Sequence, residues 1–397
     1  MSKVIIDEVV TAPFPLTFSG KGVEWVVRTG GFLVVTIHII CNHVDSFDTA
    51  VFILPAITEQ SELNEFIFLK TFMEGEIVSK KLSIGILLAV LVIGLLGGSA
   101  LAKLKITFIC HGGEENPFWA TVYNGAVEAA KQCDVDFVMV RPKEEADIAS
   151  VLANFKATLA QKPDGIITTI PEPNMFDDVV KQALDMGIPV ICANTDDPEG
   201  AKGNARLSYI GQDLEQAGYF LAQTAIKDLP KGEKFHFLVP AEAPGLVWAE
   251  SRARGITRCL EEAGYTYERL DSTMKMDVAQ SRIQAYLQSN PETKGVLCVG
   301  GIAPTGAAKA AKNLGKEPGE VIIAGFDLLP EMLSEIKSGY IKFTVDQQPF
   351  LQGYLSVHQL YCMKTYGMSA WDVNTGNAVV DISNVDMVLE LSKKRLR

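Results

Sequence analysis

Residues 165–194 read GIITTIPEPNMFDDVVKQALDMGIPVICAN, which is an apolar run, a helical stretch and a second apolar run. The apolar runs at 165–170 and 189–194 have the length of buried strands, and the stretch near 176–186 has the spacing of a helix. Two strands joined by a helix predict a right-handed βαβ unit with parallel strands. Because both strands are apolar at successive positions, both faces of their sheet must be covered.

The same alternation of strand and helix continues along the chain and begins again after Asp213. Further strand-like runs occur at residues 106–110, 135–140, 235–239, 265–270, 295–300 and 321–326. A strand at 343–346, a helix from 349 to about 366 and a strand near 379–382 complete the pattern. The predicted fold class is α/β, with two successive halves that each build a parallel sheet flanked by helices.

Length and charge restrict the possible functions. A chain of 397 residues predicts two or three domains. Its 36 basic and 48 acidic residues give a formal net charge of −12, which argues against a nucleic-acid partner because phosphates need a basic face. The mean hydropathy of +0.16 is high for a soluble protein. Part of this excess comes from one strongly apolar segment of the sequence.

That segment lies at residues 82–98, an uncharged apolar run after Lys80 and Lys81. Ala100 and Ala102 follow it in A-x-A spacing, so residues 73–102 are predicted to be a secretory signal peptide. Export to the bacterial periplasm would follow. A retained membrane anchor is the alternative, since about 17 apolar residues is the low edge of spanning length.

Residues 1–72 precede this predicted signal, although a signal peptide should begin a chain. We therefore predict that translation starts near Met73 and that residues 1–72 are not part of the mature protein. A long cytoplasmic extension is the alternative. Cys41, His38 and His43 lack a fourth ligand, so no metal site is predicted there.

Catalysis is poorly supported in residues 103–397. The chain lacks the G-x-S-x-G and H-E-x-x-H motifs, and its glycine cluster at 300–306 lacks nucleotide-binding spacing. We predict no enzyme activity, no cofactor and no metal, with a doubly wound enzyme as the rejected alternative. The six cysteines of this part have no C-x-x-C pair, and most are expected to be free.

Polar and aromatic residues that follow the predicted strands are candidate ligand contacts, because ligands bind at the carboxyl ends of parallel strands. Phe118 and Trp119 open a helix after the first strand and could form either core or a flat wall. Trp248 and Arg252 lie one helical turn apart and share a face. The full set of candidates is His111, Asn116, Phe118, Trp119, Asn194, Trp248, Arg252, Asp327 and Gln347.

Five motifs occur in the order and at the spacing found in one known protein family. They are NPFW at 116–119, IPVICAN at 188–194, SRARG at 251–255, AGFDLLP at 324–330 and FTVDQQPFLQGY at 343–354. With them, residues 103–397 resemble the ribose-binding-like periplasmic proteins, the type I substrate-binding components of ABC sugar transporters. The resemblance implies two Rossmann-like lobes joined by a three-segment hinge, with crossovers near Gln212, near Gln347 and near 373–377. The lobes would be 103–211 with 347–373, and 212–346 with 377–397.

The resemblance also implies which residues contact a sugar. Asn116, Phe118, Trp119 and Asn194 would act from the first lobe, and Arg252, Asp327 and Gln347 from the second lobe and the hinge. His111 and Trp248 are additional candidates. Aromatic rings suit the C–H faces of sugars, and charged or amide groups suit their hydroxyls.

Two departures from the ribose-type pattern argue against ribose itself. Asn194-Thr195 stands where these proteins carry Asp-Arg, and Gly300-Gly301 stands where they carry Asn-Asp. The expected ligand is another small polyhydroxy compound, namely a different monosaccharide, a polyol or a cyclitol.

The resemblance implies an exported, monomeric receptor that delivers its ligand to an ABC permease. A sensor that serves a chemoreceptor or histidine kinase is the alternative, because it would use the same pocket residues.

Overall fold

The computed structural model describes residues 103–397 and the backbone of three strands near the N-terminus. These strands are Val26–Thr29 (β1), Phe32–Ile39 (β2) and Asp48–Pro55 (β3), which form an antiparallel sheet in the order β1-β2-β3. The sequence analysis assigned no strand there, because it found no long alternating period. The predicted signal peptide at 73–102 and the Cys41, His38 and His43 grouping lie outside the described residues.

The chain forms two compact units, residues 1–97 and 98–397. The second unit contains two six-stranded sheets. Within the described part of the chain, no helix combines the length and the apolar character that crossing a membrane requires.

The first sheet of the second unit is parallel throughout and has the order β14-β8-β7-β6-β4-β5. Its strands are Lys105–Ile109 (β4), Asp136–Val140 (β5), Gly165–Thr168 (β6), Val190–Ala193 (β7), Tyr209–Gly211 (β8) and Val373–Asn374 (β14). Its helices are Pro117–Cys133 (α1), Ile148–Gln161 (α2) and Asp177–Asp185 (α3), and a 3₁₀ turn covers Gly200–Lys202. A helix from far along the chain, Pro349–Tyr366, also packs against this sheet.

Successive side chains of the central strands enter opposite layers of the core, because side chains alternate along a strand. Ile167 of β6 packs with α1 and with the helix Pro349–Tyr366. Its neighbour Ile166 packs with α2 and α3. Both residues are fully buried, which explains why this strand reads as a continuous apolar run.

The second sheet has the order β10-β9-β11-β12-β13-β15 and is parallel except for β15, which runs antiparallel to β13. Its strands are His236–Ala241 (β9), Thr266–Asp271 (β10), Thr293–Leu297 (β11), Ile322–Phe326 (β12), Phe343–Asp346 (β13) and Ala378–Asp381 (β15). The helices here are Leu214–Ile226 (α4), Val247–Glu262 (α5), Met276–Ser289 (α6), Ile302–Asn313 (α7), Pro330–Lys337 (α8) and Val385–Lys393 (α10), and Pro349–Tyr366 is α9. Helices α4 and α5 cover one face of this sheet, and α6, α7, α8 and α10 cover the other.

The chain passes between the two sheets three times. It crosses between β8 and α4, returns between β13 and α9, and crosses again between β14 and β15. The predicted fold class, two α/β lobes with largely parallel sheets flanked by helices, is confirmed. The lobe boundaries given above stay our proposal.

The α1–α9 pair shows how closely two helices of the first lobe approach. A Cβ atom on Gly125 of α1 would lie 2.0 Å from the carbonyl oxygen of Phe350. A Cβ atom on Gly353 of α9 would lie 1.9 Å from the carbonyl oxygen of Val122. The two glycines therefore permit backbone contact between helices that are more than 200 residues apart in the chain.

Candidate ligand-binding cleft

The carboxyl ends of both sheets face one cleft of about 420 Å³. Its walls come from the segments after β4, β5 and β7 of the first sheet and after β9, β11, β12 and β13 of the second. Parallel α/β sheets bind ligands at this edge. All nine candidates from the sequence lie in the lining: His111, Asn116, Phe118, Trp119, Asn194, Trp248, Arg252, Asp327 and Gln347.

Trp119 packs in the core and also reaches the cleft. It therefore has both of the roles considered for the aromatic pair, core packing and a flat wall. Its side chain is 2% exposed, and the rings of Phe108, His111 and Phe118 meet it edge-on at centroid distances of 5.1–6.3 Å. A Cβ atom on Gly112 would lie 1.7 Å from Trp119 Nε1, so the glycine makes room for the indole. Phe118 is only half-buried and presents more of its ring to the cleft.

The start of α1 fixes the orientation of these rings. Asn116 is the N-cap, and its Oδ1 accepts a hydrogen bond from the backbone nitrogen of Phe118 at 3.0 Å. Pro117 occupies the first helical position, where its missing N–H has no cost. The capping sequence therefore places the aromatic pair at the cleft edge.

His111 is a neutral cleft residue. Its Nδ1 lies 3.0 Å from the hydroxyl oxygen of Thr169, and its side chain is buried. Burial lowers the pKa of the imidazole to about 4. The ring therefore acts as an uncharged hydrogen-bonding group at neutral pH.

Asn194 and Asp327 are joined through Gln347. Asn194 Nδ2 donates to Gln347 Oε1 at 3.2 Å, and Gln347 Nε2 donates to Asp327 Oδ1 at 2.6 Å. Asn194 follows β7 and Asp327 follows β12, so this chain of hydrogen bonds links the two sheets. Both residues have positive φ angles, +67° and +73°, a conformation that costs a non-glycine residue about 1 kcal/mol. Such strain commonly marks functional positions.

Arg252 is a buried cation whose Nε is left without a partner in the described part of the chain. Its side chain is 3% exposed, Nη1 donates to Val299 O at 3.1 Å, and Nη2 donates to Gln212 Oε1 at 3.0 Å. The guanidinium carbon lies 4.0 Å from the ring centroid of Phe326. Among the described residues, its buried Nε has no hydrogen-bond partner. Burial lowers the pKa of the guanidinium, which nonetheless stays charged at neutral pH.

Two acidic residues of the lining, Glu145 and Glu242, were missed by the sequence analysis. Glu145 Oε2 accepts hydrogen bonds from Gly113 N at 2.7 Å and from Asn116 Nδ2 at 3.2 Å. Burial raises the pKa of both carboxyl groups, that of Glu242 to about 7. Burial also raises the pKa of Asp327, the third carboxyl group of the lining.

Position in the chain could have revealed Glu242. It directly follows β9, at the strand end where ligand contacts are expected, whereas the candidates predicted from this region were Trp248 and Arg252. Glu145 lies five residues after β5, in a loop whose course the sequence does not define. The remaining charged lining residues, Glu115, Lys143 and Glu144, are exposed at the rim.

The crossover segments hydrogen-bond to one another beside the cleft. Gln212 Nε2 donates to Asn377 Oδ1 at 2.7 Å, which joins the first crossover to the third. The hydroxyl of Thr375 donates to Gln347 O at 2.8 Å, which joins the third to the second. The segments that connect the two sheets thus form one bonded group.

Two further observations concern metals and thiols. No cluster of three or more His, Cys, Asp or Glu side chains is arranged to hold a metal ion in the described part of the chain. The six cysteines between residues 103 and 397 form no disulfide with one another, and five of them are buried: Cys110, Cys192, Cys259, Cys298 and Cys362.

A family model described as a periplasmic binding protein domain matches residues 106–365. The chain belongs to this family. Its members are substrate-binding proteins and not enzymes. This periplasmic binding protein is also 29% identical over 301 residues to the xylose/arabinose-binding protein XylF of Sulfolobus acidocaldarius, and the match covers 73% of this chain and 74% of XylF.

Solved structures agree with the family assignment. An ABC sugar transporter (periplasmic sugar binding protein) from Legionella pneumophila is 30% identical, with a TM-score of 0.63, and the match covers 69% of this chain and 100% of the other. A carbohydrate transporter from Acidothermus cellulolyticus, solved in complex with myo-inositol, is 29% identical, with a TM-score of 0.65, and the match covers 74% and 100%. The resemblance to type I periplasmic sugar-binding proteins is therefore confirmed.

Proposed function

We propose that this periplasmic binding protein is an exported receptor that binds a small sugar, polyol or cyclitol in the cleft and delivers it to an ABC importer. The observation that carries this proposal is the composition of the cleft. A buried guanidinium, one buried and two half-buried carboxyl groups and an amide pair line about 420 Å³, beside the edge of an aromatic cluster.

This composition suits a ligand with many hydroxyl groups. Carboxylates and amide oxygens accept from hydroxyls, while Arg252 and the amide nitrogens donate to them. The volume lies near the lower end of the range of about 300–1,000 Å³ for small-molecule sites, which favours a ligand of monosaccharide size. One relative is named a xylose/arabinose-binding protein and another was solved in complex with myo-inositol, which supports the same ligand class.

The position of the site suggests the mechanism. Contacts from both lobes would stabilise a closed form over an open one, so the ligand would shift the population by its differential affinity for the two. The three bonded crossovers are the segments about which such closure would occur. The closed form would then be presented to a membrane permease by a monomeric protein in the periplasm.

Calorimetry against a panel of pentoses, hexoses, polyols and inositols tests this proposal. We expect one or a few members to bind, and we expect Arg252→Lys to weaken that binding about 10- to 100-fold through loss of charged hydrogen bonds. Arg254→Lys is the matched control, because Arg254 lies on the same helix but is exposed. Absence of any binding by the folded wild-type chain would contradict the proposal.

A further inference from the structure

The loop after β11 carries no side chain where it meets the cleft, because its residues there are Gly300 and Gly301. The space is filled from the neighbouring strand. A Cβ atom on Gly300 would lie 2.5 Å from Glu242 Oε2 and 2.8 Å from Glu242 Oε1. The absence of a side chain at 300 is therefore what allows Glu242 to occupy this part of the cleft.

One carboxylate oxygen of Glu242 is anchored and the other is not. Oε1 accepts hydrogen bonds from Ile302 N at 2.9 Å and Ala303 N at 2.8 Å, the first backbone groups of α7. Among the described residues, none donates a hydrogen bond to Oε2. The side chain is only 4% exposed and lines the cleft. Two backbone hydrogen bonds thus orient Glu242 and leave Oε2 as an acceptor that faces the cleft.

The charges around Glu242 come from several elements. Arg252 of α5 and the N-terminus of α7 favour the ionised carboxylate, while Asp327 after β12 opposes it. Cys298, at the end of β11, is a buried thiol that stays protonated at neutral pH. Glu145, across the cleft, experiences the field of Asp327 as well. A hydrogen-bond donor on a ligand would add a further group that favours the ionised form.

We propose that Glu242 determines ligand specificity by accepting a hydrogen bond from one hydroxyl of the ligand, in place of a side chain on the loop after β11. This inference rests on the proposed function, since it assigns a contact within the same cleft. An analogue that lacks the hydroxyl would leave a buried carboxylate oxygen unpaired, and such a loss discriminates strongly.

The first test is calorimetric titration of wild type, Glu242→Gln and Glu233→Gln with D-xylose, L-arabinose, D-allose and myo-inositol. Glu242→Gln keeps an oxygen for the α7 backbone bonds and replaces the other oxygen by an amide NH2, so it removes the charge and the free acceptor. We expect about a 10- to 100-fold loss of affinity for the sugar that wild type binds best. Glu233→Gln removes the same charge at an exposed position outside the cleft lining, and we expect less than about a twofold change. Deoxy analogues of the best ligand should separate wild type from Glu242→Gln at one hydroxyl position only.

The second test is the pH dependence of affinity, which needs no variant to fold. Burial raises the pKa of Glu242 to about 7, and a hydroxyl donor prefers the ionised carboxylate. Affinity should therefore be full above that pH and fall as pH decreases, by about 100-fold between pH 8 and pH 5. Binding near pH 7 should release protons, which titrations in buffers of different ionisation enthalpy would detect. Glu242→Gln should flatten the profile.

The outcomes separate this inference from the proposed function. If wild type binds a sugar, and Glu242→Gln binds it within twofold with an unchanged pH profile, Glu242 is not a ligand contact although the receptor proposal stands. Binding by wild type without proton release near pH 7 leads to the same conclusion. If folded wild type binds no sugar or polyol at all, the receptor proposal fails and this inference fails with it.

Discussion

Gln347 Nε2 donates a hydrogen bond of 2.6 Å to Asp327 Oδ1, and this bond joins the second crossover to the end of β12. The other end of the same amide accepts from Asn194, which follows β7 of the first sheet. The side chain of Gln347 therefore connects two strand ends that belong to different sheets. It also holds Oδ1 of Asp327, while no hydrogen bond to Oδ2 is made among the described residues.

Asp327→Asn should weaken ligand binding about 10- to 100-fold with little loss of stability. Asparagine tolerates the φ of +73° at this position, and its side-chain oxygen can still accept from Gln347. Calorimetry measures the affinity and urea unfolding the stability. Asp178→Asn, on the exposed side of α3, is the charge-matched control. Wild-type affinity in Asp327→Asn would show that this carboxylate does not contact the ligand.

Asn194→Ala should be less stable than Asn194→Gly by about 1 kcal/mol. Both variants lose the hydrogen bonds to Gln347 and Gln352, so their difference isolates the backbone conformation at φ +67°. Urea unfolding of the two variants measures it. Equal stabilities would mean that residue 194 does not hold the left-handed conformation in solution.

Gly112→Ala should destabilise the protein by about 3 kcal/mol, because the new methyl group would overlap the indole of Trp119. Gly232→Ala is the control, since no atom lies within 4 Å of the added Cβ and its only cost is the φ of +86°, a strain that Gly112 does not have. We expect the control to cost about 1 kcal/mol. Chemical unfolding measures both. A similar cost for the two variants would contradict the close approach of Trp119 to residue 112.

Without ligand, Glu242→Gln should be more stable than wild type at pH 8 and nearly equal to it at pH 4.5. Burial raises the pKa of Glu242 from 4.5 to about 7, so its favourable contribution is present below the ordinary value and is lost as pH rises through 7. The difference at pH 8 should approach about 3 kcal/mol. Urea unfolding of both proteins across this range gives the curve. A stability difference between the two proteins that does not vary with pH would contradict the raised pKa of Glu242 and therefore the burial of its carboxyl group.

Most of the strands were predictable because the parallel sheets are covered on both faces. Full burial turns a strand such as β6 into a short continuous apolar run, which composition alone reveals. Strands β8 and β14 have only three and two residues, too few for any pattern, and they went unpredicted. Helices α8 and α10, of eight and nine residues, were also not predicted.

The cleft lining was predictable where a side chain directly follows a strand, as Asp327 does. It was not predictable for Glu145, whose burial depends on a hydrogen bond to Gly113 on another loop. For positions 300 and 301, the sequence indicated only that glycine leaves no side chain there. It could not show that Glu242 from an adjacent strand fills their space, because that requires the spacing of the two strand ends.

The contact between α1 and α9 has a consequence for the order in which the chain can assemble. Helix α1 begins at Pro117, whereas its partner α9 begins at Pro349, near the end of the sequence. A ribosome that has made only the first 300 residues cannot yet supply the helix that covers Gly125 of α1. The first lobe therefore stays unfinished until residues 349–366 have been made, because α9 covers part of its apolar face.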